Sequence, residues 1–349
     1  MLSFYPGPSK VHPEALDFIR DAFDQGIVSI NHRSTRFEAL LKDTLEILHE
    51  KWNIPTDYTI YFVSSATEAW EIVAQSFIEK QSLHLYNGAF GKKWAHYTKQ
   101  IFPNARSIEF DAQQSLGEIS LPNLSDIDTI CLVQSETSNG TGQAIQRSCY
   151  VDALIAVDAT SSMGGIELAW EEADVWLASV QKCMGIPAGL GIMICSPKAW
   201  ERANQLGHKG HYNDILLMEE NRKRFQTHYT PNVLGIYVLN RLTHNLPNIR
   251  ITQQKTLEKM AIWEEYWEKD KRWGLEFLIE KPELRLATVL ALKGQPEQIK
   301  KIQAHCLNAE IELGKGYGDW QSTTVRIANF PSHTIADIQT LIHQLDHEL

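Results

Sequence analysis

No apolar run in this chain of 349 residues is long enough to cross a bilayer. Positive charge is also in short supply, with 33 Lys and Arg against 43 Asp and Glu, a formal net charge of -10. That balance argues against a general nucleic-acid binder, because phosphate backbones reward a basic face. Any anionic ligand must therefore be met by a local cluster of cations. The five cysteines, Cys131, Cys149, Cys183, Cys195 and Cys306, are scattered without a C-x-x-C pair. Neither a disulfide frame nor a zinc site is expected, and reduced thiols suit a cytoplasmic protein. The opening Met1-Leu-Ser-Phe-Tyr-Pro-Gly-Pro-Ser-Lys10 lacks the charged-then-apolar order of a signal peptide, which adds to the cytoplasmic expectation. Internal repeats and low-complexity tracts are missing as well.

What is present is a soluble α/β pattern too long for one ordinary core, so two domains are expected. The boundaries are 14–245 for a large domain and 246–349, with 1–13, for a small one. Pro13 suits the first turn of a helix over 14–24. A polar loop, Ser29-Ile-Asn-His-Arg-Ser-Thr-Arg36, then precedes a helix over 37–52 with Leu40, Leu41, Leu45 and Leu48 on one face. From Tyr58 short β-prone runs alternate with helices. Strands are expected at 59–64, 82–86, 129–134, 153–158, 175–180 and 189–195, and helices at 67–79 and 90–101. This alternation means crossover connections and a mostly parallel, doubly wound sheet, whose ligands bind beyond the carboxyl ends of the strands. Helices follow from 231 to 245 and over 253–271, where Trp263, Tyr266 and Trp267 are expected to pack against the large domain. Strands at 285–292 and 324–328 and helices at 296–307 and 335–345 complete a small α/β unit.

The chemistry concentrates in Leu177-Ala-Ser-Val-Gln-Lys-Cys-Met-Gly-Ile-Pro-Ala-Gly-Leu-Gly191. A buried run ends there in Lys182, beside Gln181, before a turn of small residues. Desolvation at such a place disfavours the ammonium and frees an amine able to form a Schiff base with an aldehyde cofactor. A strand-end lysine taken alone is more often a side chain that snorkels to solvent, so its neighbours must decide. Four of them sit at strand ends. Ser64-Ser-Ala-Thr-Glu-Ala-Trp70 joins a strand to a helix, where backbone N–H groups can hold a phosphate or simply receive an N-cap. Asn87-Gly-Ala-Phe90 offers an aromatic face to a planar ring, or a hydrophobic staple. Ser135-Glu-Thr-Ser-Asn-Gly140 is a polar loop after a buried strand. Asp158 ends another such strand and needs a partner, for which a protonated pyridine nitrogen or a helix N-terminus would serve.

In this order the pieces resemble the class V, fold-type I family of pyridoxal phosphate enzymes, and within it the phosphoserine aminotransferases. Phe4-Tyr-Pro-Gly-Pro-Ser9 is similar to the family's N-terminal motif, and Asn31-His-Arg-Ser-Thr-Arg-Phe37 to the His-Arg-Ser loop of the phosphoserine branch. The resemblance implies a fold-type I transferase with pyridoxal 5'-phosphate on Lys182, whose ring nitrogen is held by Asp158. It further implies Phe90 stacked on the ring, Thr137 on the phenolic oxygen, and Ala66, Thr67 and Gln181 around the phosphate. Thr230, in His228-Tyr-Thr-Pro-Asn232, matches a residue that reaches the phosphate region of a neighbouring subunit, which implies a homodimer. Arg326 matches the arginine that takes the substrate α-carboxylate, a task suited to a planar guanidinium. His32 and Arg33, with Lys315, would meet a substrate phosphate.

Three positions depart from that pattern. The segment from Lys315 to Arg326 has no His-Arg pair and a longer loop, Tyr229 stands for an asparagine, and Glu68 for an arginine that some relatives carry. The resemblance thus implies an aminotransferase exchanging phosphoserine and 2-oxoglutarate in serine biosynthesis, with an alanine-glyoxylate or serine-glyoxylate type of the same class as the alternative. A lyase or desulfurase needs a reactive cysteine near the site, which Cys306 in a helix and a buried Cys183 do not supply. A non-catalytic relative would lack the lysine or the aspartate.

Overall fold

A computed structural model describes residues 1–150 and 152–347. Among these residues the chain builds two sheets. The larger has seven strands in the order Thr59–Val63, Gly191–Cys195, Val175–Ser179, Leu154–Asp158, Thr129–Val133, Ser82–Tyr86 and Arg106–Glu109. Six run parallel, and Gly191–Cys195 alone runs against both its neighbours.

Side chains alternate across these strands, and both faces are covered. Ile60, Phe62, Ile130, Leu132, Ile155, Val157 and Trp176 join a core with the helices Ala15–Asp24, Thr35–Trp52 and Val233–Asn245. Tyr61, Val63, Cys131, Val133, Ala156 and Leu177 face the other way, against Ala66–Phe77, Ala89–Ile101, Pro197–Leu206 and Ile215–Arg222. Serine caps set where several helices begin. Ser34, Ser65 and Ser196 each accept a hydrogen bond from a backbone N–H in the following first turn.

The smaller sheet runs Leu2–Phe4, Ile311–Lys315, Thr324–Ala328, Val289–Lys293, Glu276–Phe277. Its first strand pairs in parallel with Ile311–Lys315 across some three hundred residues of sequence. The chain's first residues thus close the edge of a sheet made mostly of its last.

The sequence reading needs correction in four places. Trp263 and Trp267 pack into the core of the small sheet with Phe4, Leu292 and Ile302, not against the large sheet, and Tyr266 is half-buried at its margin. Helix Ile249–Lys269 lies over that sheet, so its apolar stripe faces the nearer core. The strand expected from 285 begins at Val289, after a turn at Pro282–Leu284. The loop at 135–140 starts a two-stranded ribbon, Ser135–Glu136 paired with Thr141–Gly142. Strands Leu2–Phe4, Arg106–Glu109, Glu276–Phe277 and Ile311–Lys315 and helices Pro197–Leu206 and Ile215–Arg222 were not anticipated. Leu2–Phe4, Arg106–Glu109 and Glu276–Phe277 are short edge strands, and Ile311–Lys315 lies inside the small sheet between Leu2–Phe4 and Thr324–Ala328.

Candidate active site

The parallel strands of the large sheet deliver their carboxyl ends to one place. Val175–Ser179 leads to Lys182, which is only 7% exposed. Its Nζ donates to Thr137 Oγ1 at 2.8 Å and to Ser161 Oγ at 3.1 Å, and lies 5.1 Å from the centroid of the Phe90 ring. Burial pushes its pKa down to about 8, against the pull of Asp158. A free amine is therefore accessible near neutral pH. Gly7 makes room for this side chain, since a Cβ there would stand 2.9 Å from Lys182 Cε, and its φ of +151° is disfavoured for other residues.

Leu154–Asp158 ends in the buried carboxylate of Asp158. One of its oxygens accepts from Trp70 Nε1 at 2.9 Å, the other from the Thr160 backbone N–H at 2.8 Å. Burial nevertheless raises its pKa, with those hydrogen bonds and Lys182 working in the other direction. An acid so placed gains from a cationic partner, and Lys182 spends its own donors on Thr137 and Ser161 instead.

Phe90 sits at the start of helix Ala89–Ile101, and its position is fixed by a residue the sequence reading passed over. Glu136 is 1% exposed and accepts from Phe90 N, Gly91 N, Ser138 N and Ser138 Oγ. The carboxylate meets the positive end of the helix and ties it to the loop that carries Thr137. Gly88 is required here, because a Cβ would come within 2.3 Å of Glu136 Cγ. The ring of Tyr317 lies parallel to Phe90, 5.0 Å away between centroids.

At the start of helix Ala66–Phe77 the Ala66 N–H already donates to Ser179 Oγ at 2.8 Å, and Ser65 caps the Glu68 N–H. The Thr67 N–H has no partner among the described residues and remains for an anion. Arg326 is 3% exposed, with Nε on Lys315 O at 2.8 Å and Nη1 on Thr137 O at 2.9 Å. One N–H of Nη1 and both of Nη2 are left uncommitted.

Most of these residues border one cavity of about 190 Å³. It gathers Lys182, Asp158, Phe90, Thr137 and Arg326, together with Ala66, Thr67 and Gln181. It does not gather His32, Arg33 or Thr230. Arg33 donates to Asn221 Oδ1 at 2.9 Å and Gln226 Oε1 at 2.7 Å, His32 is half-buried beside it, and Thr230 is exposed. The side chain of Lys315 is on the surface too. Trp70, Tyr5 and Tyr317 border the cavity and Ser161 and Glu136 hold lining residues from behind; sequence reasoning missed these five. Trp70 and Glu136 fell inside motifs already singled out, and their burial beside polar neighbours was the available signal.

A buried amine, a buried acid, an aromatic face and an unspent helix N–H form a donor set suited to an aldehyde, a ring nitrogen, a planar ring and a phosphate. Together with the doubly wound sheet, this set defines a fold-type I transferase of the pyridoxal phosphate class. The sequence model of the aminotransferase class-V family matches residues 2–318, and the chain belongs to that family. It is similar to the phosphoserine aminotransferase of Rhodococcus opacus, at 30% identity over 67% of this chain; the match spans 64% of that relative's length. The crystal structure of a phosphoserine aminotransferase from Cytophaga hutchinsonii superimposes with a TM-score of 0.93 at 31% identity, covering 100% of this chain and 99% of that one. An alanine-glyoxylate aminotransferase from Nostoc shares the fold, with a TM-score of 0.81 at 23% identity over 99% of this chain and 95% of its own.

Proposed function

We propose that this protein is a pyridoxal-phosphate-dependent aminotransferase that moves an amino group from an α-amino acid to a 2-oxo acid in two half-reactions at one site. The observation that carries the reading is Lys182, an amine held at a pKa of about 8 in the cavity that also contains the buried Asp158. Pyridoxal phosphate supplies an aldehyde for amines and a ring that accepts the electron pair left when the Cα proton departs.

The chain's own residues do the rest. Lys182 would hold the aldehyde, and its amine would serve as the base that takes the Cα proton and returns it. Thr137 and Ser161 keep its Nζ in place. Asp158, steadied by Trp70 and Thr160, holds a proton on the ring nitrogen. Phe90 covers a ring face, Thr67 and Gln181 receive the phosphate, and Arg326 takes the substrate α-carboxylate. We infer a homodimer in which Thr230, exposed outside this cavity, reaches the partner's phosphate region; His32 and Arg33 also lie outside the cavity of their own chain. No helix among the described residues is long and apolar enough to cross a membrane. With the cysteines free, a cytoplasmic location is the reading we adopt.

Two donors are supported by different observations. The names of relatives at 30–31% identity support phosphoserine, with 2-oxoglutarate as acceptor. A small unphosphorylated amino acid such as alanine or serine is the alternative, favoured by a cavity whose cationic side chains within one chain, among the described residues, are Lys182 and Arg326, both already assigned. The deciding experiment mixes cofactor-loaded protein with one amino acid at a time and records which discharges the yellow colour. Lys182→Ala should abolish the colour change and turnover together, and a variant that keeps full turnover would defeat the proposal.

A further inference from the structure

A second cavity, of about 560 Å³, shares no residue with the one around Lys182. Helix Ile249–Lys269 borders it through Thr252, Lys255, Thr256 and Lys259, and the segment 331–336 borders it from the other domain edge. Helix Val233–Asn245, about 20 Å long, has Thr230 ahead of its first residue and Leu246, on the cavity wall, after its last. The cavity therefore stands at the far end of that helix from the residue on which the homodimer is inferred.

Two side chains on its wall are buried with bonding capacity unspent. Lys259 is 4% exposed, and its Nζ donates to Phe330 O at 2.7 Å and to His333 O at 2.9 Å. An ammonium carries three N–H groups, so one is left over. Burial lowers its pKa to about 8, a penalty that a nearby anion would offset. His333 is 2% exposed, and its Nε2 faces Ser3 O at 2.9 Å. A carbonyl only accepts, so the proton sits on Nε2, and the buried Nδ1, which has no partner among the described residues, offers a lone pair. Burial pushes this imidazole down to about 4 and keeps it neutral.

The backbone adds donors at the same wall, where helix Ile335–Asp346 begins. Asp337 accepts from Thr334 N and is itself paired with Lys10, while the N–H groups of Ile335 and Ala336 have no partner among the described residues. The positive end of that helix thus borders the space that Lys259 borders. The acid on the rim, Glu258, accepts from Gln254 Nε2 at 3.0 Å, and Leu246, Pro247 and Pro331 supply apolar surface. Sulfate or a simple carboxylate would satisfy the donors and leave His333 Nδ1 with nothing to accept. The unspent groups together match a carboxylate that carries an O–H or N–H beside it.

We propose that this cavity is a second small-molecule site, which takes an organic carboxylate with a hydrogen-bond donor on the adjacent carbon and an aliphatic body, the chemistry that hydroxy acids and amino acids share. Lys259 and the N–H groups of Ile335 and Ala336 receive the carboxylate, His333 Nδ1 accepts from the neighbouring donor, and the aliphatic body lies on Leu246, Pro247 and Pro331. The site goes beyond the aminotransferase reading and does not depend on it.

The test is calorimetry on the whole cofactor-loaded protein with 2-hydroxy-4-methylpentanoate, a probe that has no amine to condense with an aldehyde. 4-Methylpentanoate, which lacks the hydroxyl, should bind about tenfold more weakly, and Lys259→Met should weaken the probe about tenfold or more, as expected when a hydrogen bond to the site is lost. Ile335 is 47% exposed at the first position of its helix, where an acid suits the fold. Ile335→Glu should weaken the probe about tenfold by setting a like charge beside the carboxylate. Arg326→Ala, in the other cavity, should leave the dissociation constant within about twofold, because well-separated sites act independently. Displacement of the probe by leucine would assign the site to amino acids, and a probe that leucine leaves bound would assign it to hydroxy acids. No binding of the probe, binding lost with Arg326→Ala, binding indifferent to Ile335→Glu, or equally tight binding of 4-methylpentanoate overturns the assignment. If Lys259→Met does not fold, Ile335→Glu decides without it.

Discussion

The indole Nε1 of Trp70 donates to Asp158 Oδ2 at 2.9 Å, across 88 residues of sequence. It is one of two donors that keep a buried carboxylate ready for a positive partner. Trp70→Phe keeps most of the volume and removes the hydrogen bond. A bond to a charged group is worth about 1.5–3 kcal/mol, so the cofactor dissociation constant should rise about tenfold or more. A cofactor titration of the variant measures this, and unchanged affinity would show that Asp158 does not depend on the indole.

The second prediction concerns pH. The folded protein holds Lys182 at a pKa of about 8, below its ordinary value, because burial disfavours the ammonium. The reactive free amine therefore grows as pH rises through about 8 and is depleted below it. The rate at which cofactor-free protein acquires the yellow colour should climb with a midpoint near pH 8. A midpoint near 10 would mean that the lysine is hydrated and the site open.

Glu136 offers a test of how Phe90 is held. Glu136→Ala removes the acceptor of Phe90 N, Gly91 N and the Ser138 donors, all in a water-poor place. Buried donors left unmatched cost about 1–3 kcal/mol each, so a loss of about 3 kcal/mol or more in stability is expected, visible as a lowered Tm. Glu136→Gln keeps one oxygen and should fall between that variant and the wild type.

Gly7→Ala should act on the site rather than on the core. The new methyl would meet Lys182 Cε at 2.9 Å and would also hold the backbone at an unfavourable φ. Slower and weaker cofactor loading is expected, with the circular dichroism spectrum unchanged. Normal loading would show that the lysine side chain can shift aside.

Much of the large sheet was legible because periodicity is local. Runs such as 82–86 and 129–134 coincide with strands Ser82–Tyr86 and Thr129–Val133, and Lys182 and Asp158 were readable as strand-end residues. What stayed hidden depends on partners far away in sequence. Nothing near Trp70 shows that its indole meets Asp158, and nothing near Leu2 shows a strand waiting at Ile311. Trp263 and Trp267 had the right period but two sheets to choose from, and amphipathicity does not name the partner. Helix Pro197–Leu206 had a readable start, with Ser196 before Pro197, but its weakly apolar face left too little pattern.

The opening segment has a mechanical consequence. Leu2–Phe4 is stitched to the small sheet, Tyr5 to Pro8 border the cavity, and the Ser9 N–H donates to Gln181 O beside the lysine. Fewer than ten residues span that distance, too few to leave slack. Any tilt of the small sheet must tug on the rim of the cavity and on the neighbour of Lys182. The same few residues therefore tether the small sheet both to the rim of the cavity and to the backbone next to the amine.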